Sequence, residues 1–280
     1  TGPGSTRPDP YRGSAPYDTG VHRIVDGPVP GRDLAATPGA VVLRTPVCEL
    51  LQYLPQTEQV RECPVLVISP LVHRYYLADL APGASLVEHL VRAGHQVFAL
   101  SWSDPGPAEA TRDLDAYVAA VLDGIDACTR ITRGHRVTLL GVRTGGLLAA
   151  AVQAHLAAVG AEDRIAAAVY LATVLDQSAS LPGFRLDTGT ARAATEMAAR
   201  DGVLDGRTAV RTWTWRHGGE QVRPYEITAQ DSAGRLSGRA RTALRHWSGD
   251  LLRVPAGLPA DLVALACAGP EGPVLSLIHI

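Results

Sequence analysis

Val137-Thr-Leu-Leu-Gly141-Val142-Arg143-Thr144-Gly145-Gly146 decides the fold: a short apolar run, a turn with glycines two positions either side of Arg143, and an apolar helical stretch over 147–159. Strand, tight turn and helix in that order have the grammar of a nucleophile elbow. The central residue of such a turn is held in strained backbone so that its side chain projects into a pocket. Gly141 and Gly145 remove the Cβ atoms that would collide across it.

Outward from the elbow, short apolar runs alternate with helical spacing. Residues 65–68, 97–100, 165–171 and 262–266 read, with 137–140, as strands buried on both faces. Residues 85–93 and 114–129 show 3.6-residue spacing, with Ser85 and Asp113 as N-caps. Residues 40–43 and 49–53 read as an opening antiparallel hairpin. Alternation of this kind predicts a mostly parallel, doubly wound sheet with right-handed crossovers. It breaks between 172 and 259, a polar, Arg-rich text with weak helical signal over 190–200, which reads as an inserted cap over the C-terminal ends of the strands.

The ends are less regular. Residues 1–30 are rich in Gly, Pro, Ser and Asp without periodicity and read as a linker or the remnant of a preceding domain. The chain has no Lys and no Asn, as a very GC-rich gene would give, and against that background residues 275–280 (Leu-Ser-Leu-Ile-His-Ile) read as a non-native sequencing scar. The expected organisation is therefore core over 31–171, cap over 172–259, core strand and turn over 260–274, and a chain that continues naturally in both directions.

Composition sets limits on partners. With 46% hydrophobic and 19% charged residues in 280, one main core is expected. A formal charge of -2 offers no basic stripe for nucleic acid. Cys48, Cys63, Cys128 and Cys267 form no metal-spaced cluster with the nine histidines and read as reduced, mostly buried thiols of a cytoplasmic protein. No run reaches about 18 uninterrupted apolar residues, so no membrane span is expected.

Acyl chemistry at an elbow needs a group that can be deprotonated and attack a carbonyl. Arg143 is not one: its guanidinium stays protonated and has no lone pair to attack with. Thr144, one step along, points its side chain elsewhere, while its backbone N–H remains available as an oxyanion donor.

The residues resemble the polyhydroxyalkanoate synthases, class I and II, an α/β-hydrolase-fold family that polymerises 3-hydroxyacyl-coenzyme A. The likeness is carried by Gly31-Arg-Asp-Leu-Ala-Ala-Thr-Pro-Gly-Ala-Val-Val42 with Glu49-Leu-Leu-Gln-Tyr53, and by Ser69-Pro-Leu-Val-His-Arg-Tyr-Tyr-Leu-Ala-Asp-Leu80. Ser85-Leu-Val87, Gly94-His95, Ser101-Trp102 and Asp115-Ala-Tyr-Val118 follow in the family's order. It is close over 29–176 and weaker at 201–207 and 251–258.

The resemblance implies an α/β-hydrolase fold with an inserted cap, truncated before the last strand and helix. It implies a transfer of 3-hydroxyacyl groups from coenzyme A, as substrate, through a cysteine thioester to a polyester granule. It implies no cofactor or metal, and a homo- or heterodimer as the assembly. The Val72 and Thr144 main-chain N–H groups become the oxyanion pair, and His73, Arg74 and Tyr75 line the acyl-coenzyme A mouth or simply pack. Glu271 is the acid candidate, Asp79 a loop brace, Asp176 structural, and His95 and Trp102 buried packing.

Four departures bear on function. The family's elbow reads Gly-x-Cys-x-Gly where this one has Arg143; His73-Arg74 stands where Asn-Lys is usual; residues 230–239 lack the usual Trp- and Asn-rich pattern; and the chain stops before the general-base histidine, His279 falling in the scar. Two readings of Arg143 stay open. One is a dead or miscopied nucleophile position, one base from Cys. The other is an anion anchor in a non-catalytic paralogue that binds a partner synthase, the granule or acyl-coenzyme A. A cation at a helix N-terminus costs ~0.3–1 kcal/mol unless an anion joins it.

Overall fold

Alternation of side chains along extended backbone explains why the middle strands need helices on both faces. The structure, a computed structural model, describes residues 28–175, 188–213, 216–217, 220–221 and 238–267. β1 (Gly39–Arg44) and β2 (Cys48–Tyr53) form the antiparallel hairpin, Gly39 opposite Tyr53. β2 then pairs antiparallel with β4 (Val97–Trp102). β3 (Val65–Ile68) lies parallel between β4 and β5 (Val137–Val142), and β6 (Ile165–Leu171) runs parallel to β5. The sheet order is β1-β2-β4-β3-β5-β6.

α1 (Leu86–Arg92), α2 (Leu114–Thr132) and α3 (Thr144–Ala158) make the crossovers. Both expected caps are present: Ser85 Oγ accepts from the Glu88 N–H at 2.9 Å, and Asp113 Oδ1 accepts from the Ala116 N–H at 3.0 Å. Leu66, Phe98, Leu100 and Leu139 pack with Val121 and Ile125 of α2 and Leu148 and Val152 of α3. On the opposite face, Val65, Val67, Val97 and Ala99 pack with Val87 and Val91 of α1. Successive residues of one strand thus serve two helical layers, as the period of two requires. With the turn between β5 and α3, this is the α/β-hydrolase fold that the residues implied.

From β6 onward three features bear on the expected organisation. Residues 262–266, read as a strand, lie inside α7 (Gly257–Cys267). A short apolar run looks the same in a buried strand and a buried helix, and here Pro259 in the first turn and the alanines of the run suit a helix. The Asp261 side chain accepts from the Leu114 N–H at 2.9 Å and ties α7 to the start of α2.

Secondly, the described part of 172–259, read as a cap, packs on the core. α4 (Thr188–Asp201) packs on α7, and Ala194, Ala198, Leu204, Ala209, Leu252, Val254 and Leu258 share the hydrophobic cluster of the sheet's α2 face. Val203–Leu204 pairs antiparallel with Val254–Pro255, closing this segment on itself. α5 (Gly206–Trp213) follows that pairing. α6 (Gly238–Gly249) packs Ala243 and Trp247 against Leu34, Tyr76 and Leu80.

Thirdly, β6 is not buried on both faces: Val169 and Leu171 are 49% and 46% exposed. Among the described residues its only strand partner is β5. Cys48 and Cys128 are buried free thiols and Cys63 is half-buried. No described helix is long and apolar enough to cross a membrane.

Candidate active site at the strand-to-helix corner

Arg143 sits between the last residue of β5 and the first of α3 with φ 54° and ψ −120°, a conformation L-residues adopt only under constraint. Its own backbone holds it there. The Arg143 N–H donates to the Leu171 carbonyl at 2.8 Å. The Arg143 carbonyl accepts from the Gly146 N–H at 3.0 Å and from Thr173 Oγ1 at 3.0 Å. The glycines are needed for space. A Cβ on Gly141 would lie 2.5 Å from the Gly146 Cα, and one on Gly145 would collide with the carbonyl oxygen of Ile68 at the end of β3. The elbow expected from sequence is therefore formed, with a guanidinium at its centre.

The loop after β3 lies against this corner. Thr144 Oγ1 accepts from the Leu71 N–H at 2.9 Å, so the threonine hydroxyl faces the loop. Val72, next along the loop, is buried. The Val72 carbonyl accepts from the Leu252 N–H at 2.8 Å. Ser69, at the end of β3, takes Trp102 Nε1–H on its carbonyl at 2.9 Å, while its own hydroxyl is buried and makes no hydrogen bond. Trp102 is buried and meets Tyr117 edge to face at 5.2 Å; His95 is only half-buried, which corrects its reading as core packing.

The three mouth residues have different positions. His73 is 5% exposed, stacks on Trp247 with ring centroids 4.4 Å apart, and bridges Leu251 in antiparallel fashion. Burial, with the charge of Arg143 adding to it, lowers the imidazole pKa to about 4, so it is neutral near pH 7. Arg74 is half-buried, its Nε donating to Asp250 Oδ1 at 3.1 Å. Tyr75 meets Tyr76 edge to face at 6.0 Å, and burial raises its phenol pKa. Tyr76 donates its hydroxyl to Asp250 Oδ2 at 2.7 Å.

Asp79 is the brace expected of it. Buried, it accepts from the Thr37 N–H at 3.1 Å, Thr37 Oγ1 at 2.6 Å and Ser85 Oγ at 2.6 Å, tying the loop to the segment before β1 and to the cap of α1. Arg143, Thr144, Val72 and His73 are thus brought to one corner, with Arg74 and Tyr75 next along the same loop. Glu271, Asp176 and His279 lie outside the described residues. Among the described residues, no three His, Cys, Asp or Glu side chains converge as a metal site. Trp247 and Asp250 were missed by sequence reasoning: they stand in the Arg-rich stretch without periodicity, and nothing local says which loop they meet.

The family model described as "Poly-beta-hydroxybutyrate polymerase (PhaC) N-terminus" matches residues 28–90, here β1 to β3, the loop with Val72 and His73, and most of α1. Poly(3-hydroxyalkanoate) polymerase 2 of Ectopseudomonas oleovorans is 34% identical over 236 residues, 83% of this chain and 41% of that protein. The PhaC subunit of the Cupriavidus necator polymerase is 38% identical over 147 residues, 52% of this chain and 25% of its own. The chain therefore spans less than half the length of these relatives. Among solved structures, a carboxylesterase of Nitrososphaera gargenis is 12% identical with a TM-score of 0.46, covering 86% of this chain and 76% of its own. The monoacylglycerol lipase of Paleococcus ferrophilus is 15% identical with a TM-score of 0.44, covering 80% and 73%.

Proposed function

We propose, from the premise that this chain is related to the polyhydroxyalkanoate synthases, that it is a synthase-like acyltransferase framework whose chemical step is blocked at the elbow. The observation that carries the reading is Arg143 at φ 54°, ψ −120°, in the corner from which a nucleophile would strike. In the active form of such a site, a thiolate there attacks the carbonyl carbon of a 3-hydroxyacyl-coenzyme A, the two backbone N–H groups of Val72 and Thr144 stabilise the oxyanion, and the C–S bond to coenzyme A breaks. The acyl group is then passed to the end of a growing polyester. A guanidinium can do none of the attacking. Catalysis further needs a base and an acid partner; Glu271 is the acid candidate in sequence order.

The test is release of coenzyme A from 3-hydroxybutyryl-coenzyme A, with mass spectrometry of the protein. The chain as it stands is expected to stay at background without an acyl adduct, whereas R143C, assayed at about pH 8.5 where a thiol ionises without a general base, gains an adduct at that position. An acyl adduct on the unsubstituted chain overturns the reading.

A second reading is favoured by one observation: the strained backbone, its three hydrogen bonds and the glycine contacts persist around a residue that cannot attack. On this reading the corner binds, with the guanidinium and the α3 N-terminus meeting the carboxylate or phosphate of an acyl-coenzyme A or of a partner at a polyester granule. Saturable binding of coenzyme A that R143Q abolishes would favour it. Binding that is unchanged in R143Q would remove it.

A further inference from the structure

Residues 247–252, from the last turn of α6 to the start of the final pairing, touch the loop after β3 at Trp247, Asp250, Leu251 and Leu252. Trp247 stacks on His73 and donates its Nε1–H to the Arg74 carbonyl at 2.9 Å. Asp250 takes both Arg74 Nε–H and the Tyr76 hydroxyl, one on each carboxylate oxygen, at 3.1 and 2.7 Å. Leu251 bridges His73, and the Leu252 N–H donates to the Val72 carbonyl. The Leu71 N–H at the other side of the same turn is held by Thr144 Oγ1. Peptides 71 to 74 are therefore fixed from two directions, the elbow on one side and the end of α6 on the other.

Both Asp250 contacts have their partners on the loop, at residues 74 and 76, and each is a hydrogen bond to a carboxylate, of the kind that is stronger than one between neutral groups. Asp250 is only part-buried, so an ion pair with Arg74 alone would contribute little. The bond from Tyr76, a 7%-exposed residue packed beside Trp247, is the sheltered one. Its loss strands a phenol hydroxyl at a buried position, which has a cost that an exposed ion pair lacks.

We propose that Asp250 is a positioning residue for the oxyanion donor: with Trp247 it latches the loop after β3 so that the Val72 N–H faces the elbow. This rests on the synthase-like reading of the corner for its catalytic meaning, while the latch itself is a property of the fold. An oxyanion donor displaced by an ångström loses most of its effect, so a carboxylate that touches no reacting atom can still govern the acyl step.

Two measurements test it separately. In the chain as it exists, hydrogen exchange of the 71–76 amides is expected to accelerate at least tenfold in D250N and D250A, with the amides of β5 unchanged. No change at 71–76, or equal acceleration in β5, overturns the latch. In an R143C background at about pH 8.5, where the introduced thiol ionises unassisted, its acylation by 3-hydroxybutyryl-coenzyme A passes through a tetrahedral oxyanion, whereas its alkylation by iodoacetamide does not. D250N is expected to slow the first at least tenfold and leave the second within twofold. An equal effect on both reactions overturns the positioning role. If R143C with Asp250 intact accepts no acyl group, the synthase-like reading and the positioning role fall together, and the exchange result still decides the latch.

Discussion

β5 and β6 are neighbours in one sheet, paired in parallel from Val137 to Val142, and the two strands have similar apolar content, yet they live in different surroundings. In β5, Val137 and Leu139 are fully buried, and its last residue leads into the strained corner. In β6, Val169 and Leu171 stand open to solvent. Apolar content specifies that a segment prefers to be strand with something on its faces; it does not specify how many neighbours it will have. The elbow belongs with the strand that is enclosed, because a strained turn persists only where the surroundings over-determine it.

The largest effect should come at the junction of β5 and β3. Gly145→Ala places a Cβ against the Ile68 carbonyl, backbone that has no room to retreat, and is expected to cost about 4 kcal/mol or more, or to abolish folding. Denaturant unfolding, or yield of folded protein, reads it out. A G145A protein of ordinary stability would mean that the corner is looser than its neighbours indicate. Within the strand, Leu139→Ala should cost about 2–5 kcal/mol through lost burial and the cavity left behind, measured in the same way.

A third effect follows from His73, in the loop next to the elbow. Its folded pKa of about 4 lies below the ordinary value near 6.5, so the unfolded chain takes up a proton that the folded one refuses. Stability is therefore fully present above about pH 6.5 and falls as the pH drops toward 4, by roughly 3 kcal/mol at most from this group. In H73F the slope of stability between pH 6.5 and 4 should flatten. An unchanged slope would place the titration elsewhere.

The smallest effect is expected on β6. Val169→Thr exchanges one β-branched residue for another at an exposed site and should change stability by less than about 0.5 kcal/mol. A loss comparable to that of L139A would show that β6 is covered in solution and would remove the contrast between the two strands.

Much of this was legible in sequence because it depends on contacts close along the chain. The strands read at 65–68, 137–140 and 165–171, the hairpin, and the caps Ser85 and Asp113 each announce themselves within a few residues. The elbow does too, since its glycines stand two positions from Arg143. The run 262–266 misled because five apolar residues do not distinguish strand from helix, and only its packing against α4 and α2 settles the matter.

The site divides along the same line. That position 143 holds a cation, unable to attack, was fixed by residue identity alone, since no environment gives a guanidinium a lone pair. That Thr144 braces Leu71, that His73 is neutral beneath Trp247, and that Asp250 holds Arg74 and Tyr76 were decided only by the tertiary structure. Those pairs are joined across 73 to 176 residues of chain, and a contact of that span leaves no periodicity, spacing or composition for a sequence to carry.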